Sequence, residues 1–266
     1  MFLSDFHLHS KFSFDGHEEL ETICEAAIER GMQQIAVTDH CDIYTNKEYG
    51  YIIDFETEYK KLKEIQAQFA DRLTVKIGIE LGQPMVNPKE AEKFIHNFRL
   101  DFIIGSLHNM EKDIDVGDYD YDKEDCVKVY GHYLEWLYDL AKNYEYDVLG
   151  HVTYPLRYMA VKGKYPDINL FEEQLKEIYK TAISRGKGIE LNTSGLYQDI
   201  KETMPSVTAL KWYKECGGEI ITIGSDAHYA KYVGQPICEG MKILKKCGFK
   251  AVATYSDRKP VFHDIT

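Results

Sequence analysis

Apolar positions along this chain follow two periods that take turns. Leu20, Ile23, Cys24, Ala27 and Ile28 fall at i, i+3, i+4, i+7 and i+8, one face of a helix, and Gly31 supplies a stop. Leu175, Ile178, Tyr179, Ala182 and Ile183 repeat that spacing, with Gly186 beyond. Val127, Tyr130, Leu134, Leu137 and Ala141 mark a long helix opened by the acidic loop 111–125. Further helices are predicted from about 54 to 70, after Pro88, over 205–216 and near 233–247. Between them lie short apolar runs that read as strands, at 2–8, 35–39, 73–81, 101–107, 147–150, 188–192 and 219–225. An eighth strand is expected at 250–255.

Seven or eight β-then-α units with short connections imply an α/β fold on a parallel sheet, either closed as a barrel or open and doubly wound. The chain has 266 residues, no Pro- or Ser-rich linker and no internal repeat, which fits one domain over 1–266.

The residues that end the strands decide between barrel and open sheet. In sequence order they are His7-Leu8-His9, Asp39-His40, Glu80, His108, His151, Asn192 and Asp226-Ala227-His228. Barrel enzymes carry their chemistry at the C-terminal ends of several strands, whereas an open sheet collects ligands at its switch point. Six of the ten histidines stand at such ends, which favours the barrel.

His7 and His9 are i, i+2 on a strand, so both project from one face and form a natural metal clamp; the competing reading is a pair of interior polar groups. Asp226 and His228 repeat that geometry directly after the apolar run Ile220 to Ile223. Ile77 and Ile79 share one face, which leaves Glu80 on the other, where a carboxylate can bridge two cations. Asp15, in Ser13-Phe14-Asp15-Gly16-His17, is either a ligand or a turn residue. Asp39 is expected to orient a histidine and His17 to lie at the surface. His96, His132 and His263 fall on helices or in the tail and carry no partner pattern.

The candidate ligand set is therefore His7, His9, Asp15, His40, Glu80, His108, His151, Asp226 and His228. Nine groups are too many for one ion and enough for two or three divalent ions. Histidine and carboxylate donors without cysteine suit zinc, manganese or iron.

Composition narrows the partners. A net charge of -12 repels a polynucleotide backbone, and a small anionic substrate is admitted only where metal makes the site locally positive. The first residues lack the basic flank and apolar run of a signal peptide, and no stretch approaches the ~20 apolar residues that span a bilayer. A cytoplasmic protein without membrane partners is expected. The six cysteines form no C-x-x-C pair and read as thiols in a reducing compartment.

The motifs His7-Leu8-His9-Ser10, Ser13-Phe14-Asp15-Gly16, Thr38-Asp39-His40, Gly78-Ile79-Glu80, Gly105-Ser106-Leu107-His108, Gly150-His151, Glu190-Leu191-Asn192-Thr193-Ser194-Gly195 and Gly224-Ser225-Asp226-Ala227-His228 run in order through nearly the whole chain. Together they resemble the PHP (polymerase and histidinol phosphatase) family. The resemblance implies a distorted (β/α)7 TIM-like barrel with a trinuclear metal site. His7, His9, Glu80 and Asp226 would hold one ion, Glu80 with His108 and His151 a second, and Asp15, His40 and His228 a third. It also implies hydrolysis of a small phosphate monoester, L-histidinol phosphate of histidine biosynthesis first. A nucleotide, phosphotyrosine or a non-catalytic metal-binding role stand as alternatives.

Three dications against Asp15, Glu80 and Asp226 leave about three positive charges for a phosphate dianion, and paired cations lower the pKa of bound water. Asp226 or His228 would protonate the leaving alkoxide. Arg157, just beyond His151, is the expected phosphate clamp because its planar fork matches two phosphoryl oxygens. Asn192 and Arg258 are further candidates for substrate contact. Oligomeric state is not encoded in these motifs.

Overall fold

The computed structural model describes residues 2–45 and 54–265. Its central sheet runs in the order β1 (Ser4–Asp5), β2 (Gln34–Val37), β4 (Thr74–Gly82), β5 (Phe102–Ser106), β6 (Val148–Leu149), β7 (Gly188–Asn192) and β8 (Ile221–Gly224). Every pairing along that path is parallel. The short β3 (His40–Asp42) also pairs with β4, and its register, His40 opposite Glu80, continues that of Val37 opposite Ile77. β2 and β3 are thus two halves of one strand interrupted at Thr38 and Asp39.

The first and last strands then meet. Phe6 N–H donates to the Ile223 carbonyl at 2.9 Å, Asp226 N–H to that of His7 at 2.9 Å, and His9 N–H to that of Ala227 at 3.0 Å. These bonds close seven parallel strands into a barrel, as the strand-end residues suggested. They also explain why the run expected at 2–8 is only two residues of regular ladder: beyond Asp5 its bonds go to strands on either side.

The helices are α1 (Leu20–Glu29), α2 (Phe55–Phe69), α3 (Pro88–Asn97), α4 (Cys126–Asn143), α5 (Pro155–Val161), α6 (Glu172–Ser184), α7 (Val207–Glu215) and α8 (Ile237–Lys246). Their apolar stripes face the strands; Leu20, Ile23, Cys24 and Ala27 of α1 and Leu175, Ile178, Tyr179 and Ala182 of α6 are all buried. The acidic loop ends in a cap, where the Asp125 carboxylate accepts the N–H groups of Val127 and Lys128. Ser206 caps α7 the same way, from Ala209 N–H, which places that helix start two residues later than expected from Pro205. α5 was not anticipated: it follows directly from the turn after His151 and carries Arg157.

The strand expected at 250–255 is present as β9 (Ala251–Ser256), outside the seven-stranded barrel, where it pairs antiparallel with β10 (Lys259–Asp264). Asp257 and Arg258 both take left-handed backbone (φ 48° and 62°), the conformation of a tight two-residue hairpin turn, and it folds the chain back on itself. The hairpin plugs the barrel floor. Tyr255 packs 4.9 Å from Phe102, centroid to centroid, in an apolar layer with Phe6, Ala36, Ile104 and Val148.

Arg258, a candidate for substrate contact, lies elsewhere. Its guanidinium forms a short ion pair with Asp147, which leads into β6 and also accepts Ile103 N–H at 2.8 Å. That is the opposite end of the strands from His151, so Arg258 latches the plug, away from the residues at the barrel mouth. No helix among the described residues is long and apolar enough to cross a membrane.

Asp147 is nearly inaccessible while Arg258 is partly exposed. Arg258→Ala should lower the unfolding free energy by about 2–3 kcal/mol in urea, below the usual cost of stranding a buried charge because water reaches one partner. Metal binding should be retained, since the latch lies at the far end. An unchanged midpoint would mean the hairpin is held by Tyr255 alone.

Candidate metal centre

Above the apolar floor the barrel interior turns polar. Glu80 lies near the end of β4 and Ser106 ends β5, and the Ser106 hydroxyl donates to Glu80 Oε1 at 2.7 Å. Around Glu80 the strand ends deliver imidazoles. His7 Nε2 lies 3.2 Å and His9 Nε2 3.5 Å from its Oε2, with Asp226 Oδ1 3.6 and 3.3 Å from the same two nitrogens. On the other oxygen, His151 Nε2 lies 2.8 Å and His108 Nε2 3.2 Å from Oε1, and the two nitrogens are 3.4 Å apart. A third set stands nearer the mouth, with His228 Nε2 3.0 Å and His40 Nε2 3.6 Å from the two oxygens of Asp15. His40 Nδ1 turns back to within 3.1 Å of Glu80 Oε2. All nine candidate ligands meet in one cluster, and four overlapping triplets drawn from it have donor atoms close enough to share an ion.

The donors do not satisfy one another. His7 Nε2, His9 Nε2, His40 Nδ1 and Glu80 Oε2 are buried without a hydrogen-bond partner, although they approach within ion-pair distance. Buried polar atoms are nearly always bonded, and lone pairs that converge without bonding fit a cation between them.

Charge tells the same story. Burial opposes ionisation of Glu80, but His7, His108 and His40 outweigh it and hold the carboxyl well below its ordinary range. For Asp226 too, burial is outweighed, chiefly by His7. His7 is raised well above the usual histidine value because Glu190, Glu80 and Asp226 overcome its desolvation. Burial, helped by repulsion from His228 and His40, pushes His9 down to about 4, so its imidazole is neutral near pH 7. Ionised carboxylates here demand positive charge, which divalent ions would supply in place of protons.

Several orienting groups escaped the sequence reading. Glu190 on β7 takes His7 Nδ1 at 2.6 Å through one oxygen and His151 N–H at 2.9 Å through the other. Asp42 on β3 takes His108 Nδ1 at 2.9 Å. Both leave the Nε2 atom for the cluster, the arrangement that fixes tautomer and ring in metal-binding histidines. The signal was present: Asp42 follows His40 and Asn192 follows Glu190 at the same i, i+2 spacing used for His7 and His9. Asp39 acts through an intermediary. It accepts the Ser13 hydroxyl at 2.6 Å, and Ser13 Oγ lies 3.2 Å from His9 Nδ1.

Backbone geometry supports the crowding. Asp226 sits at φ 54°, a left-handed conformation that costs a non-glycine residue roughly 1 kcal/mol and swings its carboxylate toward His7 and His9. At Gly224 a Cβ would come within 2.4 Å of both His7 Cβ and Glu190 Oε1, so only glycine lets that pair meet.

The cluster forms the floor of a cavity of about 410 Å³. Arg157 reaches its wall, with Nη2 donating to the hydroxyls of Tyr154 (2.9 Å) and Tyr158 (2.6 Å) and Nη1 3.8 Å from Asp226 Oδ2. Asn192, expected near substrate, is fully buried behind the wall. Its Nδ2 donates to Glu190 and Asp226 at 3.3 and 3.2 Å, and its Oδ1 accepts the N–H and hydroxyl of Ser194, so it holds Asp226 and has nothing left for a ligand. The remaining histidines lie elsewhere: His132 pairs with Glu111 and Glu135, His263 stacks on Phe2, and His17 stacks on Tyr229.

Fold and site define a β/α-barrel metalloprotein with room for more than one ion at its mouth. The chain belongs to the PHP domain family, whose model matches residues 5–194. It is 32% identical over 258 residues to a histidinol-phosphatase of Lactococcus lactis, covering 96% of this chain and 95% of that protein. A probable histidinol-phosphatase of Clostridium acetobutylicum is 26% identical over 93% of the chain and 95% of its own length. Among solved structures, the L. lactis histidinol phosphate phosphatase complexed with zinc, L-histidinol and phosphate superposes with a TM-score of 0.87 at 29% identity, covering 97% of this chain and 98% of that one.

If Asp42 and Glu190 tune the histidines, Asp42→Asn and Glu190→Gln should each weaken zinc binding by about 10–100-fold, read by competition with a chelator. His96→Ala and His132→Ala should bind like the wild type. Equal effects in the two groups would mean that the orienting bonds do not matter to the ions.

Proposed function

We propose that this chain is a metal-dependent phosphatase that hydrolyses L-histidinol phosphate to L-histidinol and phosphate, acting as one catalytic domain in the cytoplasm. The observation that carries the reading is the position of the unsatisfied donor cluster, at the floor of a cavity whose wall presents Arg157. Six carboxylates line that cavity (Asp15, Asp42, Glu80, Asp115, Asp118 and Asp226), and a phosphate dianion would be repelled from it without added positive charge. Two or three divalent ions resolve the conflict. His7, His9, Glu80 and Asp226 would hold one, Glu80 with His108 and His151 a second, and Asp15, His40 and His228 a third.

Bound there, such ions supply charge for the phosphoryl oxygens and lower the pKa of a water molecule. Zinc fits, being the ion in the L. lactis relative, and manganese or iron suit the same donors. The protein's own groups do the rest. Arg157 lies over the Tyr154 ring at 4.1 Å, so its fork is preoriented for phosphoryl oxygens. Glu190 and Asp42 keep the His7 and His108 rings aimed at the cluster, and Asp39 acts on His9 through Ser13. Asp226 and His228 both face the cavity, which supports one of them as the group that would help protonate the leaving alkoxide. The identity of that alkoxide rests on the L. lactis structure, which contains L-histidinol and phosphate.

Purified protein should release phosphate from L-histidinol phosphate, lose that activity on dialysis against a chelator and regain it with zinc or manganese. No turnover under any of these metals would end the reading. Arg157→Ala should raise KM and lower kcat/KM by roughly ten- to a hundredfold with metal content unchanged, and lysine at that position should restore part of the loss. Wild-type kinetics in the alanine variant would remove Arg157 from the phosphate site.

A further inference from the structure

Four of the six cavity carboxylates are occupied with histidines: Asp15 with His228, Asp42 with His108, and Glu80 and Asp226 with the rings around them. The other two, Asp115 and Asp118, have no ion pair among the described residues. Asp118 is exposed, as an acidic residue in water should be. Asp115 is half-buried in the cavity wall, where desolvation raises its carboxyl above the ordinary value although the charge of His108 works against that.

Asp115 is also held rigidly. Its Oδ1 accepts Gly117 N–H at 2.6 Å, its backbone bridges Asn109, and Val116 N–H donates to the His108 carbonyl at 2.9 Å. The loop is therefore bonded to the strand end that supplies His108 to the cluster. Tyr158 closes the other side: a Cβ on Gly117 would lie 2.8 Å from its ring, and the same tyrosine hydroxyl takes the Arg157 guanidinium at 2.6 Å. The wall thus carries, on one braced surface, a cation for the phosphoryl group and an unpaired anion beside it.

We infer that Asp115 is a specificity-determining residue that pairs with a protonated amine close to the phosphate ester, so that the cavity selects phosphate esters of amino alcohols. This rests on the phosphatase reading above and adds to it the feature of the substrate that the site recognises. Histidinol phosphate carries an ammonium on the carbon next to the ester methylene, so phosphate at the cluster keeps that charge inside the same cavity, within reach of the wall that Asp115 lines. A nucleotide or phosphotyrosine presents no cation there and would cover a desolvated carboxylate without compensating it. Sites built around a buried polar partner reject analogues that lack it far better than apolar pockets reject a missing methylene.

The test compares L-histidinol phosphate with its des-amino analogue, 3-(imidazol-4-yl)propyl phosphate, on the zinc-loaded enzyme. Wild type should prefer the amine by roughly ten- to a hundredfold in kcat/KM, the range of a charge-assisted bond. Asp115→Asn, whose amide oxygen still accepts Gly117 N–H, should bring that preference toward unity, whereas Asp118→Asn should keep it. Asp115→Glu keeps the charge and should retain part of the preference, which covers the case of an asparagine variant that fails to fold. A wild type that handles both esters alike, or an asparagine variant that keeps the preference, overturns the role of Asp115. Hydrolysis of neither ester by the wild type overturns the phosphatase reading itself.

Discussion

Glu80 is a carboxylate with no access to water, and the rest of the barrel mouth is arranged around that fact. Five imidazoles stand within 3.5 Å of its two oxygens, from His7, His9, His40, His108 and His151. A lone buried carboxylate costs several kcal/mol, more than a single ordinary hydrogen bond returns. The barrel meets that demand by ending its strands with bases and then fixing the bases with more carboxylates, Glu190 and Asp42, one layer further out. The negative charge gathered there suits metal, and on the proposed reading metal would make an otherwise anionic cavity able to hold phosphate.

The two ends of the barrel divide the work. At the floor, Tyr255 and the apolar layer around Phe102 exclude water, and the Arg258–Asp147 pair fastens the hairpin beneath them. At the mouth, the strained backbone of Asp226 and the unpaired carboxylate of Asp115 are features that stability alone would remove. A closed parallel barrel separates them: its ladder holds strand ends at fixed spacing however unfavourable the side chains placed there.

Much of this was legible in the sequence because the relevant rules are local. Strand ends and the i, i+2 alternation put His7, His9, Asp226 and Glu80 on the interior without knowledge of neighbours, and helical spacing placed the outer layer. What failed depended on contacts between distant segments. Arg258 follows a strand, as Arg157 follows one, but the turn at Asp257 sends it to the opposite end of the barrel. Asn192 ends a strand and faces inward, yet Glu190, Asp226 and Ser194 use all its polar atoms. Asp42 and Glu190 obeyed the same alternation as the histidines and were passed over because carboxylates on strands carry no motif until the ring they orient is known.

Crystals of the protein grown with zinc and recorded above and below its absorption edge test the role of Glu80 most directly. Anomalous peaks are expected in the donor sets of His7, His9 and Asp226 and of His108 and His151, with Glu80 contacting both, and a third among Asp15, His40 and His228. A single peak that Glu80 does not touch, in crystals of active enzyme, would contradict the bridging carboxylate on which the site depends.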